Sequence, residues 1–380
     1  MGITLKSELS VYYRNDRRMV RLFQGDITAE EAGPVDYLAV SAFPGDYAET
    51  PGSVIGALAR KGVHLSELAK NKAVSYIEPY ACWISQPIEG QNFKRIICLE
   101  APKPLGDQTF DLVTYLFSAI AWFERDKKAD ITAAFPMLCC GSGGLKDADM
   151  LDALFYAAVH WGAMEFPFRE TRLIYFKERP DNDMTKVFSD LENRYENLET
   201  LFQNQQYQFY AAQALSGAAE DDEYLTPRQR YAIRLYTGSY YMTMNAILRR
   251  GDKKAEDYIR HKPLFEAMDT ALRNLPLYQG TVYRGEGVLS PQRREENMPG
   301  RHVKNLAYTS TSYEQGGFYR QATRFDIQSL TGTKVEQYSI FPNEREVIME
   351  REFGYCVTDA KDESGYRHIL AEEDEQGLRR

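Results

Sequence analysis

The sequence predicts two domains in series. The first is an α/β domain of three layers. The second is an α+β domain with a helical first lobe followed by antiparallel-rich strands. Three observations support this. The length of 380 residues exceeds the usual ~100–200 residues of one domain. Through the first half, short apolar runs alternate with helical patterns, as in a mostly parallel sheet covered on both faces. In the second half helices come first and strand-like runs follow, which points to antiparallel pairing.

In order along the first half, strands are expected at Val20–Phe23, Tyr37–Ala42, Arg95–Leu99, Thr132–Cys140 and Leu173–Phe176. Helices are expected between them at Gly52–Lys61, Phe110–Phe123 and Met150–Trp161. A polar stretch containing Pro180 follows, after which Val187, Leu191, Leu198 and Leu201 recur at helical spacing. The α/β domain is therefore assigned to residues 1–180, a helical linker to 181–204 and the second domain to 205–380. In the second domain Pro227 sits after Thr226 at a favourable first-turn position, and its helix is expected to run to about Arg250, with Gly251 as the stop. Pro263–Asn274 is a further expected helix. Beyond Gly280 the texture turns to β-type runs at Val282–Arg284, Ala307–Thr311, Arg324–Ser329, Lys334–Ser339, Glu346–Met349, Tyr355–Asp359 and Tyr366–Ala371.

Hydrophobic residues make up 43% and charged residues 27%, enough to build cores and to argue against disorder. Lys+Arg number 46 against Asp+Glu 55, a net charge of −9. That balance argues against general nucleic-acid binding, which needs a basic field, but not against one nucleotide held by a few placed groups. Five cysteines, with Cys139 and Cys140 adjacent, make no disulfide framework and read as thiols of a reducing compartment. The N-terminus lacks the apolar stretch of a signal peptide, and Leu112–Phe123 is shorter than the ~20 residues that cross a bilayer. The expectation is a cytosolic protein with no membrane partner; delivery as an effector or toxin into another cell's cytosol would leave no mark in these features. His64, His160, His261, His302 and His368 show no metal-binding spacing, so no metal is expected.

In the first domain Gly25-Asp26-Ile27-Thr28 follows a strand. The Asp26 carboxylate could accept a hydrogen bond from an adenine amino group, or Asp26 and Thr28 could simply cap a helix. Thr50-Pro51-Gly52-Ser53 opens a helix, where free N–H groups favour a phosphate. Gly141-Ser142-Gly143-Gly144 follows a strand, where glycines let the backbone wrap a diphosphate. Two such loops at strand ends of one α/β domain point to a nucleotide pocket. With Val35-Asp36-Tyr37-Leu38-Ala39-Val40 and Ala134-Phe135-Pro136, these segments resemble a macrodomain, the ADP-ribose-binding fold, over about residues 20–165. The resemblance implies a pocket from Asp26, Ile27, Gly52, Ser53, Val54, Gly141, Ser142, Gly143 and Gly144, with ADP-ribose or an ADP-ribosylated protein as partner. Where hydrolytic members carry an asparagine motif, this chain has Ser41-Ala42-Phe43-Pro44, so binding is implied more than hydrolysis.

Three separated elements stand out in the second domain: Val282-Tyr283-Arg284-Gly285, Tyr308-Thr309-Ser310-Thr311-Ser312, and Pro342-Asn343-Glu344-Arg345-Glu346. Singly, each reads equally well as a surface charge, a threonine-rich strand or a solvated strand face. Two carboxylates at i and i+2 are expected on one face of a strand, with Arg345 on the other. In this order the three resemble the Arg…Ser-Thr-Ser…Glu-x-Glu pattern of ADP-ribosyltransferases related to bacterial toxins and vertebrate arginine-specific transferases. Tyr236-Thr237-Gly238, Asn245 and Leu248-Arg249-Arg250 also fit, and the similarity spans about 205–375.

The resemblance implies two packed, antiparallel-rich sheets behind the helical lobe, with NAD⁺ as co-substrate and a protein acceptor. Arg284 would clamp the pyrophosphate, Ser310 would orient Glu346, and Glu346 would face the ribosyl cation left by nicotinamide. Glu344 would take a proton from an arginine acceptor, the side chain that goes with Glu at this position in the family. Tyr283, Gly285, Thr311, Ser312 and Tyr319 complete the expected cofactor contacts, and Tyr308 and Phe318 are further aromatics that could stack or merely pack. Two alternatives stay open: an NAD⁺ glycohydrolase with water as acceptor, and a non-catalytic ADP-ribose-binding protein.

Overall fold

The computed structural model describes all residues except 1, 14–15, 30–31, 127–129, 142, 165, 167, 177–182, 199–221, 317–318, 364 and 375–380. Ser142, Phe318, Leu201 and the end of the expected linker lie outside the described residues. The chain divides into two units, Met1–Glu196 and Asn197–Arg380.

The first unit is built on an eight-stranded sheet. Its strands are β1 (Thr4–Tyr13), β2 (Asp16–Gln24), β3 (Val35–Ala42), β4 (Lys72–Tyr76), β5 (Cys82–Ser85), β6 (Phe93–Glu100), β7 (Ile131–Pro136) and β8 (Phe168–Tyr175). They lie in the order β1-β2-β8-β7-β3-β6-β5-β4. The strands from β2 to β6 in that order pair in parallel, and the two ends add antiparallel strands. Alternation along β3 divides the core: Tyr37 and Ala39 face one apolar cluster, Leu38 and Val40 the other. Helices α1 (Val54–Arg60) and α2 (Leu65–Leu68) cover the second cluster. After the short α3 (Ile77–Tyr80), α4 (Asp107–Glu124), α5 (Asp147–Gly162) and α6 (Met184–Glu196) cover the first. This is a three-layer α/β unit.

Two departures from expectation have clear causes. Strand β1 is not among the expected strands: only alternate residues, Leu9, Val11 and Tyr13, are buried, so no apolar run marks it in the sequence. The expected linker is not a linker where it is described. Met184, Phe188, Leu191 and Tyr195 of α6 are buried in the first unit's core, and Phe188 meets Phe155 edge-on at 5.3 Å.

In the second unit Thr226 caps α7 (Pro227–Leu235) through a reciprocal pairing with Gln229, as the Thr-Pro start implies. The helix does not continue unbroken to Arg250. A wide turn, Tyr236–Tyr240, interrupts it at Gly238, whose ψ of −143° is not helical, before α8 (Tyr241–Arg250) ends on left-handed Gly251. Next comes α9 (Glu256–Asn274), which begins well before Pro263. The strands are β9 (Leu277–Glu286), β10 (His302–Lys304), β11 (Thr309–Ser312), β12 (Thr323–Lys334), β13 (Glu346–Met349), β14 (Gly354–Glu363) and β15 (Tyr366–Glu373), with α10 (Pro291–Glu296) after β9. They form one seven-stranded sheet, β10-β14-β15-β12-β13-β11-β9, in which β9 also pairs with β12. The expected pair of sheets is thus one sheet curled back on itself. All pairings are antiparallel except β12 with β15. Lys334–Ser339 is not a strand: the chain turns after Lys334, and Val335 and Tyr338 enter the core beneath the helices.

If α6 belongs to the first unit, Phe188→Ala should cost that unit about 3–5 kcal/mol, the range for emptying a buried aromatic site. A free linker would lose under about 0.5 kcal/mol. Urea unfolding of the full chain, followed by the tryptophans, which all lie in the first unit at Trp83, Trp122 and Trp161, measures the difference.

Candidate active site

The second unit places Ser310 on a short strand that is held from behind. Tyr308, just before β11, is buried, and its hydroxyl donates to Asp269 at 2.6 Å. Asp269 in turn takes Arg351 at 2.6 Å. Burial opposes the charge on Asp269, but Arg351 overrides it and holds the carboxyl below its usual range. This pair ties α9 to the loops flanking the site.

Strand β11 then pairs with β13 in the register Ser310 opposite Ile348 and Ser312 opposite Glu346. Thr309 and Thr311 face the interior; Thr311 is fully buried and its hydroxyl is bound to the Val347 carbonyl at 2.7 Å. Thr311 therefore serves the sheet, not a ligand. Ser310 and Ser312 face the other side. Ser310 Oγ donates to Glu346 Oε1 in a short hydrogen bond. Ser312 Oγ donates to the Glu344 carbonyl at 2.9 Å and accepts from Glu314 N–H at 3.1 Å, so it braces the turn before β13.

That turn corrects the expected geometry of the two glutamates. Only Glu346 is in the strand. Glu344 ends a 3₁₀ turn, Pro342–Glu344, and Arg345 between them is left-handed, with φ of 53°. The i, i+2 strand argument fails because the backbone reverses at Arg345. As a result Glu344 stays exposed at the rim while Glu346 is buried. Arg345 turns away to Glu336 at 3.2 Å.

Arg284 reaches the same place from β9. Its Nη1 donates to the Ser310 carbonyl at 2.6 Å, and its Nε donates to Glu286 at 2.9 Å. Tyr283, the Cα partner of Ser312, meets Tyr319 edge-on at 5.4 Å. The Tyr319 hydroxyl donates to Asp326, so this pair walls the loop that follows β11. Gly285 sits in the ladder opposite Arg324. Arg284, Ser310 and Glu346 are thus brought together from three distant segments, with Glu344 beside them.

Electrostatics single out Glu346. Burial pushes its carboxyl up to about 7; the Ser310 hydrogen bond opposes this, the nearby Glu344 adds to it and Arg284 again opposes it. Its second oxygen, Oε2, is buried without a hydrogen-bond partner among the described residues. A buried acceptor left unpaired is costly, so Oε2 is a place for a ligand's donor. Next to Arg284 lies a cavity of about 430 Å³ lined by Arg249, Arg293, Lys304, Asn305 and Tyr355 among others. Arg249 has no ion-pair partner among the described residues. In the sequence Arg249 is only a supporting match, and no local spacing connects Arg293 or Lys304 to Arg284, so neither is marked there as a site residue.

The first unit holds a separate cavity of about 420 Å³. It is lined by Asp26, Ile27, Gly52, Ser53, Val54, Gly141 and Gly143, together with Ser41, Phe43 and Phe176. Gly144 is not among its lining residues. Asp26 Oδ1 caps Thr28 at N and Oγ1, leaving Oδ2 uncommitted among the described residues. Both readings of Asp26 are therefore compatible with its place. A side chain at Gly143 would meet the Cys139 carbonyl at 2.2 Å, so only glycine closes this loop.

Residues 199–376 match the family model of ADP-ribosyltransferase exoenzymes. The C-terminal unit is an ADP-ribosyltransferase domain of the exoenzyme type. Among curated relatives, Mav of Mycobacterium avium, which carries the name of an NAD(+)–arginine ADP-ribosyltransferase, is 34% identical over 31% of this chain and 14% of its own length. Human ecto-ADP-ribosyltransferase 5 is 30% identical over 33% of this chain and 48% of its own. The chain thus spans under half the length of either relative. The type III effector XopAI from Xanthomonas axonopodis pv. citri has a solved structure similar to this chain at 19% identity and a TM-score of 0.40, over 48% of this chain and 86% of that one. No described helix is long and apolar enough to cross a membrane.

A buried, half-satisfied carboxylate makes the transferase domain less stable where it is ionised. With a folded pKa near 7 and an ordinary unfolded value of ~4.3, the folded state binds the extra proton between those limits. Stability is therefore lost as pH rises through that window. Glu346→Gln should raise the melting temperature at pH 8 and lose that advantage near pH 4.5, read by thermal denaturation at both pH values.

Proposed function

We propose that this chain is a mono-ADP-ribosyltransferase that moves ADP-ribose from NAD⁺ to an arginine of a protein acceptor. One observation carries the reading. A buried glutamate with a free oxygen, Glu346, is held by Ser310 beside an arginine that opens onto a cation-lined cavity. The cavity suits a diphosphate: guanidinium groups give it paired donors and a charge that does not titrate.

When nicotinamide leaves, the bond from C1′ to the pyridinium nitrogen breaks and its electron pair goes to the ring, which becomes neutral. Positive charge develops on the ribose. An ionised Glu346 stabilises that charge in a site where water is scarce, and its Oε2 can hold a ribose hydroxyl. The Ser310 hydroxyl keeps Oε1 in place so that Oε2 is the oxygen presented. An arginine nitrogen then bonds to C1′ and must lose a proton. Glu344 is exposed at the rim, and partial desolvation raises its pKa, so it is placed to accept that proton. The name of the Mav relative, as an arginine-directed enzyme, supports the acceptor.

In the first unit we propose an ADP-ribose-binding pocket, as the macrodomain resemblance implies. Its support is that Asp26, the Gly52-Ser53 turn and Gly141 and Gly143 converge on one cavity of ligand size, with Phe43 and Phe176 at hand for stacking.

Glu346→Gln should lower nicotinamide release from NAD⁺ by a factor of at least about 100, as expected for loss of one charge-stabilising group. Glu344→Ala should abolish arginine modification, located by mass spectrometry, while NAD⁺ cleavage survives. A wild-type chain that cleaves NAD⁺ but modifies no protein would favour the glycohydrolase instead. Because Glu346 must be ionised, kcat/KM for NAD⁺ should rise with pH through about 7. For the first unit, Gly141→Glu places a carboxylate in open space at the loop. Calorimetric titration of ADP-ribose into the full chain should lose one binding event with this variant, at unchanged melting temperature.

A further inference from the structure

The cavity beside Arg284 contains an apparent contradiction. Its cations, Arg249, Arg284, Arg293 and Lys304, suit a diphosphate, yet a carboxylate, Glu286, stands among them. Glu286 is firmly ionised: burial acts against its charge, but Arg284 overrides it and keeps the carboxyl below its usual range. A fixed negative charge repels a phosphate, so its presence needs an offsetting reason.

The geometry of Arg284 supplies one. A guanidinium has five N–H donors in one plane. Nε–H is taken by Glu286 Oε1 at 2.9 Å and one Nη1–H by the Ser310 carbonyl at 2.6 Å. Those two bonds fix the fork on two of its edges. The remaining Nη1–H and both Nη2–H donors are uncommitted among the described residues. Glu286 is itself steadied by Arg293, with Oε2 at 3.8 Å from Nη2. Arg293 is in turn 3.7 Å from Glu296, on the same helix α10.

We propose that Glu286 is a positioning residue for Arg284, locking the guanidinium so that its Nη2 edge meets the NAD⁺ diphosphate while its Nη1 edge holds the Ser310 strand. The proposal rests on the reading of this cavity as the NAD⁺ diphosphate site. Glu286 is two residues from Arg284 on the same strand, so the pair moves together with β9. The carboxylate's repulsion of the ligand is outweighed by the donors it orients. The arginine that grips NAD⁺ is then mechanically tied to the serine that orients Glu346.

The test is calorimetric titration of NAD⁺ into the full chain carrying Glu346→Gln, which suppresses turnover. Adding Glu286→Ala should weaken Kd about tenfold, the scale of one charge-assisted hydrogen bond. Adding Glu286→Gln instead should recover most of that loss, because an amide oxygen still accepts the Nε–H. In an Arg284→Lys background, Glu286→Ala should change Kd by less than about twofold, since the group it positions is gone.

Tighter binding by both Glu286 variants would overturn the proposal and leave Glu286 a plain repulsive charge. An equal loss with and without Arg284 would also overturn it, because Glu286 would then act independently of the arginine. A wild-type chain that binds NAD⁺ but releases no nicotinamide sinks the transferase reading alone, and the Kd comparison still decides Glu286. A chain that does not bind NAD⁺ overturns both.

Discussion

The transferase domain is organised around a carboxylate that protein interiors normally avoid. Glu346 is buried, with one oxygen bound to the Ser310 hydroxyl and the other unpaired among the described residues. Removing a carboxylate from water costs free energy unless it is fully hydrogen-bonded, and here it is half so. The surroundings must therefore hold it in place. Ser310 is fixed by β13 on one side and by the Tyr308–Asp269–Arg351 anchor behind it. The Arg284 guanidinium bonds the backbone of the same serine. In the proposed reaction this cost is offset when a cation develops opposite Glu346.

The turn before β13 separates the two glutamates into different environments. Left-handed Arg345 reverses the chain, so Glu344 stays at the rim and Glu346 goes inside. Ser312 fixes that turn by bonding the Glu344 carbonyl. Two identical side chains two residues apart thus meet different surroundings: burial drives the Glu346 carboxyl up to about 7, while partial desolvation at the rim raises that of Glu344.

The two cavities differ in how they would hold a phosphate. In the C-terminal unit the lining is rich in guanidinium groups. In the N-terminal unit Arg60 is the one cation among the described lining residues and accompanies Asp26, Asp46 and Asp147, so the ADP-ribose pocket proposed there would rely on backbone N–H groups of the glycine-bearing loops. Charged side chains grip tightly and respond to salt; backbone amides in a closed loop select by shape.

The sequence by itself determined the order of structural types and marked Arg284, Ser310 and Glu346 as one candidate site, which the structure brings together. Alternating runs through the first half and the Thr226-Pro227 start in the second are local signals, written in residues that touch or follow one another. Arg284, Ser310 and Glu346 were legible as a pattern because each lies in a short, distinctive segment. Signals that depend on partners far along the chain were not legible. Strand β1 is amphipathic at an edge, so it lacks an apolar run. Helix α6 reads as a linker until the Phe155 pocket for Phe188 exists. Gly238 breaks its helix where a side chain there would press on Ile340, at 3.2 Å, a contact across about a hundred residues. Arg293 and Lys304 join Arg284 in one cavity only because β9, α10 and β10 are brought together by the curled sheet. Tertiary structure alone decided which glutamate is buried, because burial is a property of the packed surroundings and not of the residue.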